Sequence, residues 1–172
     1  MTPEDLAALH ARAMEHAVAW SARSFAEILA SPASVLVTQD PSSWRRNSSG
    51  RAAGRGANRP PLSATRQTAQ SLGFALGRVM ADQAELLALV VDPEHRGQGL
   101  GHALLTRFEA ESAGRGAATG FLEVAADNQP ALKLYKTAGW TKTGARAAYY
   151  PRGTKPAANA LILRKVLIAT SP

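Results

Sequence analysis

Three glycines crowd into five positions, Gly97, Gly99 and Gly101 of "HRGQGLGHALL", between the apolar run "AELLALVV" and the helical pattern "LGHALLTRFEAES". A backbone stripped of side chains where a strand hands over to a helix suits a fold in which a ligand approaches the main chain closely. Amides at a helix N-terminus offer N–H donors and the positive end of the helix dipole, so phosphate is the natural guest. Two phosphate motifs fail here. A P-loop requires Lys and then Ser or Thr after its last glycine, whereas His102 and Ala103 follow Gly101. The dinucleotide fingerprint requires glycine where His102 or Leu104 stands, although Glu123 lies at a suitable distance for a ribose-binding acid. In addition, "DPEHR" separates Val91 from Gly97, too long a stretch for the tight turn of that fold. A merely flexible loop is the plain alternative, and it accounts poorly for so sharp a boundary between strand and helix.

Around the glycines the chain alternates helix and strand. Thr2 is placed to cap a first helix with Pro3 in its opening turn, and Leu6, Leu9 and Ala13 recur at helical spacing. Ser21 can cap a second helix, "SARSFAEILA", which Pro32 ends, and "SVLVT" then reads as a short strand. Further on, "LGFALGRVM" and "AELLALVV" form a hairpin about Ala81, Asp82 and Gln83. The helix after the glycines carries Leu100, Leu104 and Phe108 on one face, and "ATGFLEVAA" is the next strand. Asn128 caps "NQPALKLYKTAG", with Pro130 in its first turn and Gly139 after it. Two strands, "ARAAYY" and "NALILRKVLI", close the chain around a Pro and Gly turn. The expected class is α/β with a mixed sheet and one strand, helix, strand crossover through residues 85 to 124. A length of 172 residues suits a single domain, 1–172.

Charge narrows the partners less than its size suggests. The net charge is +7, but six arginines, Arg45, Arg46, Arg51, Arg55, Arg59 and Arg66, lie within residues 41–70, which hold no acid and leave the rest near +1. That stretch is rich in Ser, Gly, Ala and Pro and poor in aliphatic residues, so it reads as a long loop insertion between strands. It is either a solvated surface loop or an electrostatic arm for RNA or the ribosome; Trp44 apart, it lacks the interleaved aromatics of specific RNA binding. The absence of cysteine removes disulfides, thiolate metal sites and a cysteine acyl-enzyme together. No basic, apolar leader opens the sequence and no run of about 18 apolar residues occurs, so a cytoplasmic, non-membrane protein is expected. His10, His16, His95 and His102 lack the spacing of a helical zinc site; all four are expected on the surface, and no metal is expected.

The stretch "LLALVVDPEHRGQGLGHALL" resembles the coenzyme A loop of the GNAT acetyltransferases, whose pattern is Arg or Gln, two residues, Gly, one residue, Gly or Ala. Arg96, Gly99 and Gly101 fill it. "GFLEVAADNQPALKLYKTAGW", "YYP" and the early "HAVAW" are similar to the bacterial ribosomal-protein-alanine N-acetyltransferases. The resemblance covers roughly four-fifths of the chain, and it departs from the family at the 41–70 insertion and at Asn159, where an acid commonly precedes the final strand. It implies a GNAT fold with helices on both faces of the sheet and acetyl-CoA in a splay between two parallel strands. The cofactor would meet Leu89, Val90 and Val91, then Arg96, Gly97, Gln98, Gly99, Leu100, Gly101 and His102, and also Asn128. The pantetheine could pair with the backbone of Leu89, Val90 and Val91 as a surrogate strand, and one N–H near Val91 could polarise the acetyl oxygen.

Acetyl transfer needs a neutral amine and a proton for the leaving thiolate. Glu123 sits inside an apolar strand, on the face opposite Leu122 and Val124. It is either a half-exposed acid with a Lys or Arg partner or a general base, acting directly or through water, and the resemblance favours the base. Tyr135 is either a buried ring with a wet hydroxyl or, as the resemblance implies, the acid for the thiolate. Tyr149 and Tyr150 would line the acceptor cleft, with only one facing it unless a bulge intervenes. An α-amino group has a reference pKa about 2.5 units below that of lysine, which makes a protein N-terminus the easier acceptor. The implied activity is direct transfer to the N-terminal alanine of a small-subunit ribosomal protein. The alternatives are a GNAT acting on a small amine or lysine, and a non-catalytic acetyl-CoA sensor that binds RNA or the ribosome.

Overall fold

A computed structural model describes residues 1–14, 19–42, 44, 71–152 and 155–167; His16 and nearly all of the arginine-rich insertion lie outside these. Helices α1 (Pro3–Ala13) and α2 (Ala22–Leu29) precede strands β1 (Ser34–Gln39), β2 (Gly73–Met80) and β3 (Gln83–Val91). A 3-10 turn (Pro93–His95), α3 (Leu100–Gly114), β4 (Thr119–Ala125), α4 (Gln129–Thr137), β5 (Thr141–Arg152) and β6 (Lys155–Val166) follow. Each expected element forms, and the two closing strands run longer than their apolar cores. The caps are those the sequence indicates. Thr2 and Asp5 form a reciprocal capping box on α1, and the Ser24 amide donates to the Ser21 hydroxyl at 3.1 Å.

The six strands lie in the order β1-β2-β3-β4-β6-β5. Only β3 and β4 are parallel, joined through α3, and every other neighbouring pair is antiparallel. Helices cover both faces. On one, Leu6, Leu9 and Phe25 from α1 and α2 pack on Phe74, Leu76 and Val90. On the other, Leu104, Leu105 and Phe108 of α3, with Tyr135 and Trp140, pack on Val35, Ala75, Leu86, Leu122 and Leu163. Burial on both faces is why β2 reads as a continuous apolar run from Gly73 to Gly77. Among the described residues no helix is long and apolar enough to cross a membrane.

His10 corrects the expectation that the histidines lie on the surface. It is 4% exposed, its Nδ1 accepts the Trp20 backbone N–H at 3.2 Å, and its ring stacks on Trp20 and meets the edge of Phe25. A neutral imidazole with one satisfied nitrogen can be buried at modest cost, and burial lowers its pKa from the ordinary histidine value.

Two local irregularities position the site. In the β2–β3 ladder Leu76 pairs with Ala88 while Gly77 pairs with Leu86, so Leu87 is an extra, bulged residue. The β3–β4 ladder ends at the same level, with Leu86 opposite Leu122. Beyond it the parallel strands part. The second irregularity lies in β5, where Arg146 pairs with Ala160 and Tyr150 with Ala158, so three residues stand opposite Asn159 alone.

Candidate active site

The parting of β3 and β4 opens a cavity of about 640 Å³. Leu89, Val90 and Val91 form one wall; Gly97, Gly99, Leu100, Gly101 and His102 form the end; Asn128, Leu134 and Tyr135 form the other wall. Glycine is required at two of these positions by backbone conformation. Gly97 has φ +73° and Gly99 φ +85°, and a Cβ built on either would meet nothing within 4 Å. Gly101 has a different reason, since its Cβ would lie 3.3 Å from Leu134 Cδ2, so glycine lets α3 approach α4. Gly99 is the N-cap of α3 and supplies no side-chain cap bond, so the 15-residue helix begins with amides uncapped by a side chain among residues that line the cavity. These features fit the phosphates and amide-bearing arm of an acyl carrier: uncapped amides for the anion, and an unladdered strand edge for the peptide-like arm.

Two of the sequence-predicted residues line the cavity and also make a structural hydrogen bond. Asn128 lines the cavity and also caps α4, its Oδ1 accepting from the Ala131 amide at 3.2 Å. Arg96 lines the cavity too, and its guanidinium donates to the Ala13 carbonyl at 2.8 Å. Together with the Arg12–Asp92 ion pair at 2.7 Å, this bond latches the end of α1 to the glycine loop and makes Ala13 and Met14 part of the wall. Burial works to raise the Asp92 carboxyl, but hydrogen bonds from Arg12 and the Glu94 amide, with the charges of Arg12 and His95, outweigh it and hold the group below the usual range. Sequence reasoning missed Ala13, Met14, His95, Asp127, Pro130, Ala131 and Leu134. Of these, Pro130, Ala131 and Leu134 share a helix with Tyr135, and the helical period could have named them. Gln98, Glu123, Tyr149 and Tyr150 are not among the lining residues of this cavity.

Glu123 lies on β4 one residue past the last β3–β4 pair, with its side chain 22% exposed. Its Oε1 pairs with Arg146 Nε at 3.2 Å, so the carboxylate has the arginine partner foreseen for a half-exposed acid. Arg146 in turn lies over the Tyr149 ring, 5.4 Å from its centroid. Tyr149 and Tyr150 meet edge to face at 5.1 Å. Adjacent residues on a regular strand point to opposite faces, so this contact is a product of the β5 bulge. Tyr135 comes from the other face of the sheet. It is 7% exposed and packs against Trp140, and burial, aided by Tyr150, pushes its phenol above the ordinary tyrosine range. At neutral pH it therefore keeps its proton.

A mixed sheet that opens past Leu86 and Leu122 beside a glycine-rich helix start sets a strand edge and main-chain amides around one cavity. A model of the acetyltransferase (GNAT) family matches residues 38–140, and the chain belongs to that family. Over 85 residues it is 41% identical to the ribosomal protein bS18-alanine N-acetyltransferase of Escherichia coli K12, a match covering 49% of this chain and 57% of that protein. It is 39% identical over 75 residues to the N-alpha-acetyltransferase RimI of Mycobacterium tuberculosis, covering 44% of this chain and 46% of that one. The chain thus aligns with less than two thirds of the length of these curated relatives. In structure, the ribosomal-protein-S18-alanine N-acetyltransferase from Escherichia coli superposes with a TM-score of 0.72 at 27% identity, over 99% of this chain and 90% of that one. Arabidopsis thaliana NAA60 in complex with a bisubstrate analogue shares the fold at 16% identity, with a TM-score of 0.73 over 98% of this chain and 96% of that one.

Proposed function

We propose that this chain transfers the acetyl group of acetyl-CoA to the N-terminal amine of a protein, an alanine-initiated small-subunit ribosomal protein being the acceptor the relatives favour. The observation that carries the reading is the opening of the sheet past Leu86 and Leu122, with Glu123 the next residue of β4 and Tyr135 lining the cavity.

Acetyl-CoA supplies an activated acyl group as a thioester. Gly97 to His102 hold its phosphates through main-chain amides, and the free edge of Leu89, Val90 and Val91 aligns its arm and gives an N–H to the carbonyl oxygen. Glu123 takes a proton from the incoming amine, directly or through water. As the amine nitrogen bonds to the acyl carbon and the carbon–sulfur bond breaks, Tyr135 gives its proton to the sulfur. Arg146 holds the Glu123 carboxylate in place between turnovers, and Tyr149 and Tyr150 form the acceptor wall.

A panel of peptides beginning with Ala, Ser, Met or Gly, beside one offering only an internal lysine, tests this reading. Fastest turnover is expected on the alanine peptide. Glu123→Gln and Tyr135→Phe are each expected to lower kcat by about 10²–10³-fold while keeping the rise in Tm that acetyl-CoA produces. Preference for lysine or for a free small amine would replace the acceptor, and unchanged kcat in both variants would overturn the catalytic pair.

A further inference from the structure

We infer that Asn159 is a positioning residue for the acceptor: its side-chain amide holds β5 in the bulged shape that brings Tyr149 and Tyr150 together beside the Glu123–Arg146 pair. The inference rests on the acyl-transfer reading above and concerns how that site grips its acceptor.

The bulge contains a strained residue. Ala148 has φ +50°, a left-handed conformation that an L-alanine adopts only when its surroundings impose it. What imposes it is visible. The Ala148 amide donates to Asn159 Oδ1 at 2.9 Å, and Asn159 is the one β6 residue facing the excursion formed by Ala147, Ala148 and Tyr149. Without that acceptor the amide turns to solvent, and a regular ladder would send one tyrosine to each face. With it, the Tyr149 ring lies against both Tyr150 and Arg146, and Arg146 reaches Glu123. The chain of contacts from Asn159 to the proposed base is unbroken.

Asn159 also touches the carrier side. Its main-chain carbonyl accepts the Ala126 amide at 2.8 Å, fixing the turn that leads to Asn128 and the cavity wall. One residue thus ties the acceptor wall by its side chain and the carrier wall by its backbone, so a side-chain substitution separates the two. An amide oxygen and a carboxylate oxygen both accept from an N–H, so an aspartate at position 159 can make the same bond.

The test compares the whole chain carrying Asn159→Ala or Asn159→Asp with the unaltered protein. The readouts are steady-state kinetics on the alanine peptide, calorimetric affinity of that peptide for the enzyme with coenzyme A, and amide exchange at Ala148. Asn159→Ala is expected to raise the peptide KM and Kd by about fivefold, the scale of one lost hydrogen bond, with the acetyl-CoA KM within twofold and faster Ala148 exchange. Asn159→Asp restores all three. An unchanged peptide KM, a uniform loss that includes acetyl-CoA binding, or an Asp variant that behaves like Ala would overturn the inference. If the unaltered protein acetylates no peptide, the functional reading falls and takes this one with it. If it does so and Asn159→Ala matches it, only the inference falls.

Discussion

Ser112 is fully buried in α3, and its hydroxyl finds no hydrogen-bond partner among the described residues. An unpaired buried hydroxyl is a standing cost, so Ser112→Ala is expected to raise unfolding stability by about 1 kcal/mol, read as a higher urea midpoint at unchanged slope. His10 gives a pH signature. Its folded pKa is lowered, so its contribution is fully present above the unfolded value of about 6.5 and is lost as pH falls below it, because the unfolded chain then binds a proton that the native chain refuses. His10→Gln is expected to flatten the stability profile between pH 5 and about 6.5, and a profile as steep as that of the unaltered protein would contradict the account. The burial of His10 was legible after all: Leu6, Leu9, His10 and Ala13 fall on one stripe at helical spacing, and only the polarity of the imidazole argued otherwise. The Glu123–Arg146 pair was half legible, since strand alternation placed the acid but no local pattern reveals a partner two strands away.

At the level of elements, the helices, the hairpin and the parallel crossover followed from caps, glycines and periodicity, which act within a few residues. The bulges at Leu87 and Ala148 did not, because a bulge is a property of two strands in register and neither sequence alone contains it. The contact between α3 and the last strand is likewise non-local. Glu109 accepts from the Trp140 indole at 2.8 Å through one oxygen and pairs with Lys165 at 2.6 Å through the other, with its own side chain 14% exposed. Glu109→Ala leaves the indole N–H of a buried tryptophan without its acceptor and is expected to cost about 1–3 kcal/mol. Thermal unfolding with and without Trp140→Phe checks the attribution, because the two losses should overlap rather than add.

At the scale of the whole molecule, the two strands that flank residues 41–70 in sequence are joined directly to each other. Gln39 and Gly73 are already cross-strand partners, and the Ser71 hydroxyl donates to the carbonyls of both at 2.8 and 2.9 Å, closing the base of the insertion. Replacing residues 41–70 with a short turn is therefore expected to preserve folding and the acetyl-CoA-dependent rise in Tm while lowering the net charge from +7 to about +1. Loss of that rise would make the insertion part of the carrier site. The extra residue at Leu87 carries a wider consequence. On the proposed reading a peptide-like arm enters between two strands and needs main-chain partners left unmarried there, so selection for heat resistance and selection for turnover pull on the same few peptide groups. Engineers who tighten this seam should expect a sturdier object that has forgotten its trade.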